Sequence, residues 1–304
     1  MADYPAALGE LAAADERVVV LTAENRVPVR GLPQRLGPRF VDTGIAEQTL
    51  VGMSAGLALR GRIPVAHALA AFLTMRAFEF IRTDVGVGRL PVKLVGYVPG
   101  ILSTANGPTH QALEDVALMR GIPGMRVFCP ADAEDLVLGL GAVVADDAPW
   151  YVRYVDRPAA SRHEPFRIGR AEVARRGADV ALLVAGALFR EAGEAAVRLS
   201  GLGVSVTLVN VRTLQPIDED AVVAAADAAR LLVTIEDHFR TGGLYSIVAE
   251  ILFRRRLPTP VHAIGLEDRW FTPGLLDQVL ESERLGAAHI AARVVAALEQ
   301  HHAL

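Results

Sequence analysis

Short β-rich runs alternate with stretches of helical spacing from one end of this 304-residue chain to the other. This alternation constrains the fold more than any other feature. Strands separated by helix-length connections pair in parallel, and a parallel sheet needs helices on both faces. The expected fold is α/β, with two consecutive open βα-wound domains and mainly parallel sheets. In the first half, strands are predicted at Arg17–Leu21, Arg39–Val41, Ile63–Ala66, Val92–Val98, Met125–Cys129 and Trp150–Val155. Helices fall between them at Ala46–Leu59, Phe72–Thr83, Gln111–Arg120 and Ala133–Ala145, the last with Asp132 as its N-cap. Near Arg157 the pattern fails, because residues 157–179 are polar, basic and broken by Pro and Gly. The boundaries read from this are a first domain over 1–160, a linker over 161–177 and a second domain over 178–304. A second βα series follows in VALLVAG, VSVTLVNV, LLVTIED and PVHAIGL. Its helices are predicted over Phe189–Leu199, Glu219–Ala229, Leu244–Phe253 and Ala287–Gln300.

Composition narrows the classes of function. With 52% hydrophobic and 22% charged residues, the chain has ample apolar material for two buried sheets and is not a disordered tail. A net charge of −4 without any basic block offers nucleic acid no footprint. Cys129 is the single cysteine, which excludes an intrachain disulfide framework and suits a reducing compartment. The N-terminus is acidic and lacks the basic start and apolar core of a signal peptide. No apolar run approaches a membrane span, so the expected location is cytoplasmic.

In open α/β sheets, ligands gather beyond the carboxyl ends of the strands. The loops to read are therefore Thr22–Arg26, Asp42–Glu47, Ala68–Phe72, Pro99–His110 and Asp156–Ser161. The richest stretch is Asp42–Asp84. There a Thr43-Gly44 turn puts Glu47 at the start of a small-residue helix. A strand and a second helix follow, the latter carrying Phe72, Met75 and Phe78 three residues apart on one face. An acid and a partly aromatic face, each at the tip of a strand-helix unit, suit a flat heteroaromatic ring.

At these residues the chain resembles the pyrimidine-binding half of transketolases. The motifs are GIAEQ-x-x-VG-x-x-AGLAL-x-G-x-IPV, then AFLTMRAFEFIRTDV, then GPTHQALED. Deoxyxylulose phosphate synthases share this layout. The resemblance implies that Glu47 hydrogen-bonds a pyrimidine nitrogen of thiamine diphosphate and drives the proton shuttle that activates the thiazolium carbon. Such an acid is expected in a largely dry pocket. Without the resemblance, Glu47 would read as a helix-start carboxylate favoured by the macrodipole. Phe72, Met75 and Phe78 would likewise read as helix core. With it, they fall on positions that line the aminopyrimidine, Phe72 being the closest match, while Met75 and Phe78 read equally as ring contacts or as core. Glu24 takes the place of an acid that ends the first strand near the cofactor, with a solvated loop acid as its alternative.

For the substrate, the resemblance implies that His110 contacts the donor's carbonyl and hydroxyl oxygens. Asn106 stands where the family usually has aspartate; it can hydrogen-bond a hydroxyl but cannot act as a base. That departure puts an ordinary ketose-phosphate donor in doubt. A phosphate-binding arginine falls near the end of YVRYVDRP, with Arg153 and Arg157 as the candidates and Arg157 preferred. His67, at a strand end, reads either as pointing into the cleft or as a satisfied buried histidine. In the second half, IEDHFRTGGLYSIVAEIL resembles the family's C-terminal domain motif, in which a Gly pair opens a helix. Glu236 and His238 there lack a third neighbour for a metal, so no metal ligand is assigned to this chain.

The family holds the cofactor's diphosphate and Mg²⁺ through a GDG motif followed by an asparagine, and no GDG occurs in this sequence. The resemblance therefore implies one subunit of a split transketolase. Its partner would carry the GDG motif and the Mg²⁺, in an α2β2 assembly with the active site at the interface. The reaction implied is transfer of a two-carbon ketol unit from a ketose donor to an aldose acceptor. Two alternatives stay open: the β subunit of a 2-oxo acid dehydrogenase, and a non-catalytic regulatory subunit with a relic pocket. GIAEQ and GPTHQ favour transketolase.

Overall fold

The structure, a computed structural model, describes residues 3–104 and 106–302. Among these the first half builds strands β1 (Val18–Thr22), β2 (Phe40–Asp42), β3 (Ile63–Leu69), β4 (Lys93–Tyr97), β5 (Arg126–Phe128) and β6 (Trp150–Tyr154). The second builds β7 (Glu172–Arg175), β8 (Val180–Ala185), β9 (Val206–Asn210), β10 (Thr213–Gln215), β11 (Leu231–Phe239) and β12 (Val261–Leu266). One sheet runs β10-β5-β6-β4-β3-β1-β2 and the other β12-β11-β8-β9-β7. All pairings are parallel except β10 with β5 and β7 with β9. The expectation of an α/β fold with two mainly parallel sheets holds, with each predicted strand of the first half found within a few residues of its bounds.

Burial explains why these strands read as continuous apolar runs. Along β1, Val18 and Val20 face one hydrophobic core with the helix Tyr4–Ala14, while Val19 and Leu21 face another with the helix Glu47–Leu59. A strand covered on both faces has no polar side to show. Where Asp132 was expected to cap Ala133–Ala145, its Oδ1 accepts from the backbone N–H groups of Glu134 and Asp135 at 2.9 and 3.1 Å.

Five features were not legible in the pattern. The helix expected over Phe72–Thr83 is broken into wide π-turns at Phe72–Arg76 and Ile81–Gly86 around a short α segment, Phe78–Phe80. The helix expected from Gln111 begins only at Asp115. The segment 161–177 is no loose linker, since it carries β7 and buries His163 and Glu172. Moreover, β10 comes from the second half but closes the edge of the first sheet, Thr213 lying opposite Phe128. One hydrophobic core runs continuously from Leu50 and Ile81 of the first half to Leu183 and Ile247 of the second.

Candidate active site

The connection from β1 to β2 leads one way along the sheet and that from β3 to β4 the other, so β1 and β3 flank a topological switch. Crevices open at the carboxyl ends of strands at such a point. The loops after β1, β2, β3 and β4 all emerge at this end. They bring Glu24, Glu47, Phe72 and His110 to one side of the sheet.

The loop after β2 is fixed by Asp42. Its Oδ1 accepts from the backbone N–H of Glu24 at 3.1 Å and of Gly44 at 3.0 Å. Burial works against that charge, but these N–H donors and Arg26 outweigh it and hold the carboxyl below its ordinary range. Gly44 has a φ of 67°, the left-handed turn that a side chain disfavours. Glu24 adopts the same region at φ 57° with its side chain exposed, a strained conformation for a residue with a Cβ.

Glu47 follows as the first residue of its helix and is only 2% exposed. Its Oε2 accepts from Arg76 Nη1 at 2.9 Å, and no bond to Oε1 is found among the described residues. The Arg76 guanidinium in turn lies over the Phe72 ring, 4.3 Å from its centre. The edge of that ring meets His110, with ring centres 5.0 Å apart at 65°. His110 is oriented by Thr109, whose hydroxyl lies 2.9 Å from Nδ1. Acid, guanidinium, aromatic ring and imidazole thus form one contiguous row from three different loops.

The three residues spaced on one predicted face do not stay together. A π-turn takes more residues than an α-turn, so i and i+3 no longer stack. The backbone N–H of Ala77 bonds the carbonyl of Phe72 at 3.3 Å, five residues back. Phe72 consequently packs on Ala70, Ala71 and Ala112 beside His110, Met75 turns outward at 37% exposure, and Phe78 packs against the main core. Of the two readings open for Phe78, its packing against the main core favours the core one.

Of the remaining candidates, His67 takes the second of its two readings, and the two arginines are engaged within the chain. His67 is fully buried, with Nε2 2.9 Å from the Tyr4 hydroxyl and Nδ1 3.1 Å from the Leu21 carbonyl. Burial pushes it down to about 4, so it is a neutral structural histidine and not part of a substrate cleft. Arg157 has its fork closed on Glu191, at 2.7 and 3.1 Å, and on the Ala187 carbonyl at 2.6 Å. It ties the two halves together and has no fork left for a phosphate. Arg153 is 2% exposed, bonded to Asp115 at 3.0 Å and Asp237 at 2.7 Å. Asn106 is exposed, donating from Nδ2 to Ser103 Oγ at 3.2 Å.

Sequence reasoning missed Arg76 and Gln111. Arg76 lies four residues after Phe72, a helical-neighbour spacing that the three-residue reading passed over. Gln111, next to His110, is fully buried, and neither amide atom has a partner among the described residues. In the second half, Glu236 accepts from the N–H groups of Leu244 and Tyr245 at 2.6 and 2.9 Å, and burial lifts it to about 8. It caps the helix that the Gly pair opens. A Cβ on Gly243 would sit 2.0 Å from its carboxylate, which requires glycine there.

Residues 4–157 match the family described as transketolase, pyrimidine binding domain, and residues 169–290 match transketolase, C-terminal domain. The 6-deoxy-6-sulfo-D-fructose transketolase subunit of Clostridium sp. (strain MSTE9) is 37% identical over 94% of this chain and 90% of its own length. The 1-deoxy-D-xylulose-5-phosphate synthase of Synechococcus sp. (strain JA-2-3B'a(2-13)) is 35% identical over 95% of this chain but only 46% of its own. A solved structure described as a split gene transketolase, inactive beta4 tetramer, superposes with a TM-score of 0.90 at 35% identity, covering 98% of this chain and 97% of that one. The protein belongs to the transketolase family. Within it, the chain corresponds to the pyrimidine-binding and C-terminal domains and resembles separately encoded transketolase subunits. Among the described residues, no helix is long and apolar enough to cross a membrane.

Proposed function

We propose that this chain is the pyrimidine-binding subunit of a split, thiamine diphosphate-dependent transketolase, active with a partner that holds the diphosphate and Mg²⁺. The observation that carries the reading is the buried Glu47 beside the half-buried Phe72 and His110, all at one end of the sheet. These residues fit the ring end of the cofactor. One carboxylate oxygen is engaged by Arg76, which itself lies over the Phe72 ring, and the other is without a bond among the described residues. When bound, thiamine diphosphate supplies the carbanion chemistry that breaks and forms the C–C bond. Glu47 shares a proton with a ring nitrogen, Phe72 orients the ring, and His110 hydrogen-bonds the donor's oxygens. In this reading Glu24 and Met75 add to the cofactor end and Asn106 to the substrate end. Dependence on a partner is supported by the apolar side chains left open around the acid, Ile45 at 71%, Met53 at 40% and Met75 at 37% exposure. A α2β2 assembly of two such chains with two partners, located in the cytoplasm, completes the proposal.

The test is Glu47→Gln in the complex reconstituted with the diphosphate-binding partner. Ketol transfer between a ketose and an aldose should fall by about 100-fold or more, the size of effect expected for a group that moves a proton in the transition state. Wild-type turnover in the Gln variant, or turnover of pyruvate with a lipoyl acceptor and none with ketoses, would sink the assignment.

A further inference from the structure

We infer that Arg76 is a positioning residue that locks Glu47 and Phe72 into one unit; this rests on the reading above. Glu47 opens the helix after β2 and Phe72 begins the turn after β3, so they belong to different strand-helix units. Arg76 spans the two, ion-paired to Glu47 Oε2 at 2.9 Å and stacked 4.3 Å above Phe72. Its side chain is 41% exposed while that of Glu47 is 3%. The pair is therefore anchored at the acid and open at the arginine.

Arginine suits this task better than lysine, because the planar guanidinium can lie over an aromatic ring while one of its edge N–H groups bonds a carboxylate oxygen. By occupying Oε2, Arg76 fixes the carboxyl rotamer and leaves Oε1 as the oxygen available to a ring nitrogen. By covering Phe72, it holds the ring in the orientation that also meets His110. The π-turn matters here, because the Ala77-to-Phe72 bond spans five residues and keeps Arg76 beside the ring while Met75 turns out.

Two fully buried arginines give the contrast. Arg153 and Arg212 are 2% exposed and each pairs with two carboxylates, as expected of structural ties. Arg76 has one carboxylate partner, and that partner is the acid at the heart of the site.

The experiment compares Arg76→Met, Arg76→Lys, Glu47→Gln and the Arg76→Met/Glu47→Gln double variant in the reconstituted complex. Thiamine diphosphate affinity is read directly by quenching of intrinsic fluorescence, and kcat is read at saturating cofactor. Arg76→Met should weaken cofactor binding by about tenfold and lower kcat by about 10- to 100-fold, as expected when a reacting group is misplaced by a fraction of an ångström to an ångström. Arg76→Lys, which keeps the charge and loses the stack, should fall between Met and wild type. In the double variant the kcat losses should not multiply, because Arg76 acts through Glu47. Multiplying losses, wild-type behaviour of Arg76→Met, or tighter cofactor binding by it would overturn the inference. Tighter binding would mean that the guanidinium competes for the ring's place. If Glu47→Gln itself retains full turnover, the underlying reading has failed; if only the Arg76 variants behave as wild type, the reading stands and this inference falls.

Discussion

The candidate active site and the junction between the two halves are built from the same residue types and end in opposite states. At the junction two arginines and one histidine are buried and each is paired with two carboxylates. Arg153 bridges Asp115 and Asp237, Arg212 bridges Asp135 and Glu172, and His163 bridges Asp132 and Glu172 at 2.8 Å on both sides. At the site, Glu47 has one partner, that partner is partly exposed, and Phe72 and His110 lie on an open face. Side-chain type therefore does not separate function from scaffold; whether the cation reaches an open face does. An arginine with its fork closed and buried is a tie between elements, whereas one whose fork is partly open can still meet a ligand.

Mutation should split these two regions by what is lost. Glu47→Gln, the largest effect expected, should remove turnover and leave thermal unfolding where it was. Arg153→Met should do the reverse at source, leaving Asp115 and Asp237 buried without their cation. Breaking a buried pair from one side costs about 3–5 kcal/mol, and the denaturant midpoint is the measurement. A variant that keeps its midpoint but loses turnover would move Arg153 from the junction to the site.

A smaller effect is expected at Arg157. Arg157→Gln should cost about 1–3 kcal/mol, the range for leaving a buried charged hydrogen-bond partner unpaired, with the donor KM unchanged. An increase of tenfold or more in the KM of a phosphorylated donor, at unchanged stability, would return Arg157 to substrate binding.

The smallest effect is a pH dependence of the junction. Burial opposes the charged His163 ring, but its hydrogen bonds to Asp132 and Glu172 carry it from 6.5 up to about 10. Burial likewise opposes the Glu172 charge, yet His163 and the Glu164 N–H bring it from 4.5 down to about 2. A raised base stabilises the fold fully below 6.5 and loses that contribution as pH rises toward about 10. A depressed acid stabilises fully above 4.5 and loses it as pH falls toward about 2. Glu236, raised by burial from 4.5 to about 8, stabilises fully below 4.5 and loses that contribution as pH rises toward about 8, so its decline begins on the acid side and overlaps that of His163. Thermal unfolding should thus fall steadily above pH 6.5, and His163→Gln should flatten that limb. An unchanged slope in the variant would place the alkaline loss elsewhere.

Much of this was legible beforehand. The alternation of strand and helix, the GIAEQ turn and the GPTHQ turn placed Glu47, Phe72 and His110 beyond the carboxyl ends of their strands. The structure brings Phe72 and His110 into contact. Such features are local, since a strand's burial, a helix start and a glycine turn are written in neighbouring residues. What was not legible lay where locality ends. His67 is satisfied by Tyr4, 63 positions away, and Arg153 by Asp237, 84 away. No periodicity encodes such a meeting.

By itself, then, the sequence determined an α/β chain of the transketolase family and the position of its acid. The tertiary structure decided the partners. A π-turn separated Phe72 from Phe78, a strand from the second half closed the first sheet, and carboxylates from distant segments consumed Arg153 and Arg157. The physical reason is that propensity and pattern act over a turn or a strand, whereas charge satisfaction acts across the assembled fold, where a buried fork binds whichever carboxylate the packing delivers.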